Sequence, residues 1–166
     1  GRPLAFCLEG AAHAAEMDWT VPPAFLAQVE FKGEMIVIER PWHLFQQCAT
    51  AIANDFALLT EGRRSAPLSA LNTVIGDPKQ IFLEEGAKVE ASILNTVNGP
   101  IWIGKGAEVM EGCMVRGPFA LGEHAQLKMG AKIYGACSFG PECRAGGEVN
   151  NGVILGYSNK GHDGFL

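Results

Sequence analysis

The sequence predicts an all-β protein, a parallel β-helix of hexapeptide repeats, preceded by a small α/β segment with a linker helix. Three observations predict it. From Leu83 the chain repeats every six residues, and the first positions, Leu83, Val89, Ile103, Val109, Val115, Leu121, Leu127, Ile133, Phe139 and Ala145, are all apolar. The fifth positions, Ala87, Ile93, Ala107, Cys113, Phe119, Ala125, Ala131, Cys137, Cys143 and Val149, are apolar too, and mostly small. With 48% of the chain apolar, agreement of this kind arises by chance roughly once in a million trials. The third observation is that Gly104, Gly122 and Gly140 follow Ile103, Leu121 and Phe139, which are spaced as one turn of three hexads would space them.

A six-residue period is neither the helical period nor strand alternation; it belongs to a chain wound into a solenoid whose short flat sides are one hexad each. Small fifth positions suit a narrow interior, and the larger first positions fill it. Ile103, Leu121 and Phe139 then form one internal column and Val109, Leu127 and Ala145 another. Between Val89 and Ile103 the period slips by two residues, so Thr96 to Pro100 is expected to bulge out as a loop. After Val149 the chain leaves the register. A solenoid exposes strand edges at both ends and needs caps. Leu166 sits where another apolar first position would begin, and Gly1 is not an initiator methionine, so the chain is expected to be a fragment truncated at its C-terminus.

The segment before the repeat differs in kind. Residues 1–31, with the stretch AAHAAE and Pro22-Pro23, give weak signals only. Glu34 to Glu39, EMIVIE, carries a β-branched run suited to a strand. Pro41 is placed to open a helix, and Trp42, Phe45, Ala49, Ile52, Phe56 and Leu59 recur at helical spacing to make one apolar face. Gly62 ends that helix. Arg63 to Leu71 reads as a polar connector. Arg63 and Arg64 have the chemistry to touch a phosphate, but a solvated pair at a helix end explains them as well. Residues 1–71 are therefore assigned to the end of a preceding domain plus linker helix, and residues 72–166 to the β-helix.

Net charge of −5 and a pI near 5.4 argue against nucleic acid as partner, since a phosphate backbone calls for a basic face. No apolar run approaches the length of a membrane span. The five cysteines have no metal-type spacing. Cys113, Cys137 and Cys143 fall in interior small-residue slots, and buried thiols suit a reducing cytoplasm.

Two stretches carry a resemblance to a known family. Arg40 to Phe45, RPWHLF, is similar to the proline-tryptophan motif of the linker helix that follows a sugar-nucleotidyltransferase domain. Ser158 to Leu166, SNKGHDGFL, resembles the segment around the catalytic histidine of hexapeptide-repeat acyltransferases. Within that superfamily the chain most resembles the bifunctional N-acetylglucosamine-1-phosphate uridylyltransferases and glucosamine-1-phosphate acetyltransferases, over roughly Glu34 to Leu166. The resemblance implies a left-handed coil, against the usual right-handed crossover rule. It also implies acetyl transfer from acetyl-CoA to an amino-sugar 1-phosphate, coupled in the full protein to nucleotidyl transfer.

Carried over residue by residue, His162 matches the general base that takes a proton from the attacking amine. An imidazole titrating near neutrality suits that task, and Asp163 or a backbone carbonyl would fix its tautomer. Glu148, Asn150 and Asn151 resemble the segment lining the sugar site, with asparagine where the family has a basic residue. Phe165 replaces a family tyrosine. Because any hexad can be slid by six onto its neighbour, either Lys128 or Arg116 can be matched to the family's phosphate-binding arginine. Tyr157 and Lys160 stand beside His162 as rim residues, with Lys160 counted among the substrate-binding candidates. Each has a plainer explanation: a solvated loop histidine, asparagines that form turns, and ordinary surface positions. His124 lies within a regular hexad and is expected to be exposed, while His13 and His43 need no special role.

The resemblance further implies a homotrimer with the acyl-donor groove between subunits. In the proteins it resembles, coenzyme A is bound largely by coils beyond the histidine, so no cofactor is expected on this fragment, which should transfer acetyl poorly by itself. Magnesium belongs to the nucleotidyltransferase domain. Two other functions fit the fold. One is a non-catalytic trimerisation or regulatory β-helix of a sugar-1-phosphate nucleotidyltransferase. The other is a zinc-dependent γ-type carbonic anhydrase, suggested by Val115 to Gly117, although that site needs three histidines and only His124 and His162 lie in the repeat.

Overall fold

The computed structural model describes Gly33 and residues 35–164; the readings placed on residues 1–32, Glu34, Phe165 and Leu166 lie outside them. From Ile36 onward the chain forms one compact unit. Its body is a parallel β-solenoid of five turns that matches a left-handed β-helix. The first turn holds β1 (Thr73–Ile75), β2 (Ile81–Leu83) and β3 (Lys88–Val89), and the second β4 (Ile93–Asn95), β5 (Ile101–Ile103) and β6 (Glu108–Val109). The third holds β7 (Met114–Arg116), β8 (Phe119–Leu121) and β9 (Gln126–Leu127), and the fourth β10 (Lys132–Tyr134), β11 (Cys137–Phe139) and β12 (Arg144–Ala145). The fifth holds β13 (Glu148–Asn150), β14 (Val153–Ile154) and β15 (Asn159–Lys160). Three five-stranded sheets result, in the orders β1-β4-β7-β10-β13, β2-β5-β8-β11-β14 and β3-β6-β9-β12-β15.

The eighteen-residue stacking holds where the repeat is regular: Ile103 pairs with Leu121 and Leu121 with Phe139, and Val109 with Leu127 and Leu127 with Ala145. These residues are at most 1% exposed. Gly122 leaves no room for a side chain, since a Cβ there would lie 2.5 Å from the Gly140 carbonyl carbon. Cys113, Cys137 and Cys143 are buried in the same core, where burial raises the thiol pKa of Cys113 and Cys137 above its ordinary value.

Within the first two turns the register departs from the regular period at three places. The loop expected after Asn95 is present, and Val97 at its tip is 68% exposed. A second excursion at Gly76–Gln80, with a short 3-10 turn over Pro78–Gln80, lengthens the first turn. It precedes Leu83 and so left no trace in the hexads. Ile93 is the clear misassignment: it faces outward at 40% exposure while Leu94 takes the interior site at 0%. Leu94 pairs with Val74 and Val115, because the corner after β3 is one residue shorter than a full hexad allows.

Before the solenoid stands α1 (His43–Thr60). A turn accepting from His43 and Leu44 at the carbonyls of Arg40 and Pro41 starts it, and Gly62 at φ +69° ends it. The helix packs on β8, β11 and β14 of the second sheet. Its contact face is Cys48, Ile52 and Ala49 against Ala136, Ala120 and Val153. Of the face expected from sequence, Trp42, Phe45 and Leu59 are exposed, since the small second-sheet surface meets a narrower stripe centred on Cys48. Residues 35–39 carry no strand and their apolar side chains are exposed. A β-branched run becomes a strand only when a neighbouring strand takes its hydrogen bonds, and among the described residues none pairs with it.

The connector after α1 caps the first turn. Ala66 N donates to Leu83 O and Leu83 N to Ser65 Oγ, while Ala66 and Leu68 pack against the core. Arg63 reaches across to Glu84 with a two-pronged ion pair, Nη1–Oε1 2.9 Å and Nη2–Oε2 2.6 Å, and stacks 5.2 Å above the Phe82 ring. The arginine is thus a clamp between helix and solenoid rather than a solvated end. No helix among the described residues is long and apolar enough to cross a membrane.

Candidate functional site

Of the residues singled out from sequence, His162, Asp163, Lys128 and Glu148 lie about one corner, where the third sheet passes to the first at the last turn. The corner between β12 and β13 is Gly146-Gly147, and it is short: sixteen residues separate the paired Lys132 and Glu148 where eighteen separate Met114 and Lys132. Two glycines make the shortening possible. Gly147 adopts φ +73°, and a Cβ on it would stand 2.7 Å from the Asp163 Cα and 2.8 Å from the Asp163 N. A Cβ on Gly146 would lie 3.1 Å from Gly161 O and 3.4 Å from the Cβ of Lys128. The segment carrying His162 and Asp163 therefore lies directly on the glycine pair that leads into Glu148.

On the outer face of β13, Glu148 accepts a hydrogen bond from the Tyr134 hydroxyl. This bond is the main reason the Tyr134 phenol is held above its ordinary pKa, and the neighbouring Asn150 opposes it. Tyr134 and Asn150 are paired across β10 and β13. Glu148, Tyr134 and Asn150 thus form one polar cluster. Sequence reading missed Tyr134; the available signal was its outward position in the hexad one turn before Asn150.

Asn151 is committed otherwise. It sits at φ +52°, and its Oδ1 accepts from Ala136 N at 3.2 Å, so its side chain holds the turn between β13 and β14. His162 is exposed. Among the described residues its imidazole has no hydrogen-bond partner, whereas its carbonyl accepts from Lys160 Nζ at 2.8 Å. Lys160 is not on the rim; it is buried, on the interior side of β15. Tyr157 is 80% exposed.

Lys128 and Arg116 separate in space. Lys128 stands under Gly146 at the His162 corner, while Arg116 lies on β7 of the first sheet, paired with Asn95. His124 is exposed beside Glu123, 3.6 Å away. No group of three histidines, cysteines or carboxylates suited to a metal ion occurs among the described residues.

Two clefts lie away from this corner. One of about 430 Å³ is bounded by Phe56, Arg63, Lys79 and Phe82 at the end of α1, and one of about 280 Å³ runs between α1 and the second sheet past Cys48, Trp102 and Ala120. At the corner itself His162 and Asp163 are exposed.

Residues 1–64 match the family described as sugar nucleotidyl transferase. The match runs through α1 and ends at Arg64, ahead of the first strand of the solenoid at Thr73. Neither a curated protein nor a solved structure matches the chain. A match to that family over residues 1–64, followed by a β-solenoid, fits a hexapeptide-repeat sugar nucleotidyltransferase.

Proposed function

We propose that the solenoid serves acetyl transfer from acetyl-CoA to an amino-sugar 1-phosphate, in a protein that also carries out nucleotidyl transfer. The observation that supports it most is the convergence of His162, Asp163, Lys128 and Glu148 on the Gly146-Gly147 corner. In this reading His162 removes a proton from the sugar amine as nitrogen attacks the thioester carbonyl, and coenzyme A leaves as thiol. Glu148, Tyr134 and Asn150 offer acceptors and donors for sugar hydroxyls, and Lys128 offers a cation for the 1-phosphate. Asn151 keeps the β13–β14 turn in shape.

The exposure of His162 and Asp163 suits a site completed by other parts of the assembly. We propose a homotrimer with the acyl donor bound between subunits and by coils beyond His162, with magnesium serving the nucleotidyltransferase part. A cytoplasmic setting suits the buried reduced thiols. The rival reading, a non-catalytic trimerisation or regulatory solenoid, draws support from the His162 imidazole, which has no hydrogen-bond partner among the described residues.

Full-length protein incubated with acetyl-CoA and a panel of amino-sugar 1-phosphates tests the proposal, with release of free thiol as readout. Thiol release that depends on one amino sugar is expected. None with any of the panel would give the rival reading the field.

A further inference from the structure

The interior column of the third sheet runs Val89, Val109, Leu127, Ala145 and then Lys160. Four apolar side chains are followed by a cation. Lys160 is only 9% exposed, and no carboxylate pairs with it among the described residues. Its ammonium is satisfied by two carbonyls: Gly146 O at 3.1 Å and His162 O at 2.8 Å. A buried cation without a counter-ion is costly, and a valine or methionine would fill the column without that cost. What lysine adds is a tether. It joins one glycine of the β12–β13 corner to the backbone of His162, while Lys160 O accepts from Gly146 N at 2.7 Å.

We propose that Lys160 is a positioning residue: its buried ammonium holds the His162 backbone against the Gly146-Gly147 corner, fixing where the imidazole stands relative to Glu148. The inference rests on the reading of His162 as the base. Lysine suits the task because its charge-assisted hydrogen bonds are stronger than neutral ones and its length reaches both carbonyls from the floor of the core. The tether also explains how an exposed residue with no side-chain partner among the described residues keeps a defined place.

Two measurements test this on the full chain. Lys160→Met fills the column without the tether and Lys160→Arg restores a donor. Thiol release should fall at least about tenfold in kcat for Lys160→Met with KM for the sugar phosphate little changed, and Lys160→Arg should recover part of it. Second, a nitroxide attached at His162→Cys should tumble at least about twofold faster when Lys160→Met is added, at unchanged thermal midpoint. Equal mobility overturns the inference, as does full activity in Lys160→Met. If the wild-type protein transfers no acetyl group, the reading of the site fails, while the nitroxide still decides whether Lys160 tethers position 162.

Discussion

Phe119 and Phe139 meet edge to face inside the solenoid, ring centroids 5.4 Å apart and planes at 87°. One lies on β8 and the other on β11, both at 1% exposure or less, so the pair bridges the third and fourth turns. Phe139→Ala removes a ring that adjacent turns cannot collapse to replace. The expected loss is about 3–5 kcal/mol of unfolding free energy, read by urea unfolding. A loss below about 1 kcal/mol would mean the turns are not stacked as described.

The clamp of Arg63 on Glu84 ties α1 to the first turn. Arg63→Ala should loosen the helix while leaving the solenoid intact. Hydrogen exchange should quicken in residues 48–60 and stay unchanged in β8 and β11, with the difference shrinking at high salt because the arginine is open to solvent. Uniform quickening throughout would contradict the assignment.

Burial raises the thiol pKa of Cys48, Cys113 and Cys137. The native state then keeps these protons at a pH where the unfolded chain releases them. Their contribution to stability is whole below the unfolded value of about 8.5 and declines as pH rises from there through the raised native values. Chemical denaturation should show no thiol-linked change from pH 6 to 8 and a falling midpoint above pH 9. In the native protein iodoacetamide should leave all three unmodified; ready alkylation of Cys113 or Cys137 would contradict their burial.

Gly147 combines φ +73° with the backbone of Asp163 where a Cβ would project. Gly147→Ala therefore meets both left-handed strain, about 1–2 kcal/mol, and a backbone clash. The segment 160–163 should be displaced while turns one to three keep their protection from exchange. Acetyl transfer should fall by more than tenfold, with nucleotidyl transfer unaffected. Retained acetyl transfer would remove this corner from the site.

The solenoid was legible because six-residue periodicity reports the interior directly: every first position from Ile103 to Ala145 is buried. It became illegible where loops of variable length enter. The excursion at Gly76–Gln80 and the short corner before Ile93 changed the register outside the regular stretch, and period counting placed Ile93 inside in place of Leu94. At the other end the same rigidity misled in a different way. Lys160 reads as a surface residue by type, yet register alone, through the pairing of Ala145 with Lys160, puts it in the core. The helix was visible by its spacing, whereas the exposed Trp42, Phe45 and Leu59 depend on which surface it meets. Tyr134 joined the site through pairing between turns, which a linear motif does not contain.

The most direct test of the central claim compares full-length wild type with His162→Ala in acetyl-CoA-dependent thiol release on the amino-sugar 1-phosphate preferred by the wild type. His162 is exposed, so the variant should fold with an unchanged thermal midpoint. The account predicts at least a hundredfold loss of kcat, within the range general-base catalysis supplies, with nucleotidyl transfer retained. Unchanged acetyl transfer by His162→Ala would contradict it.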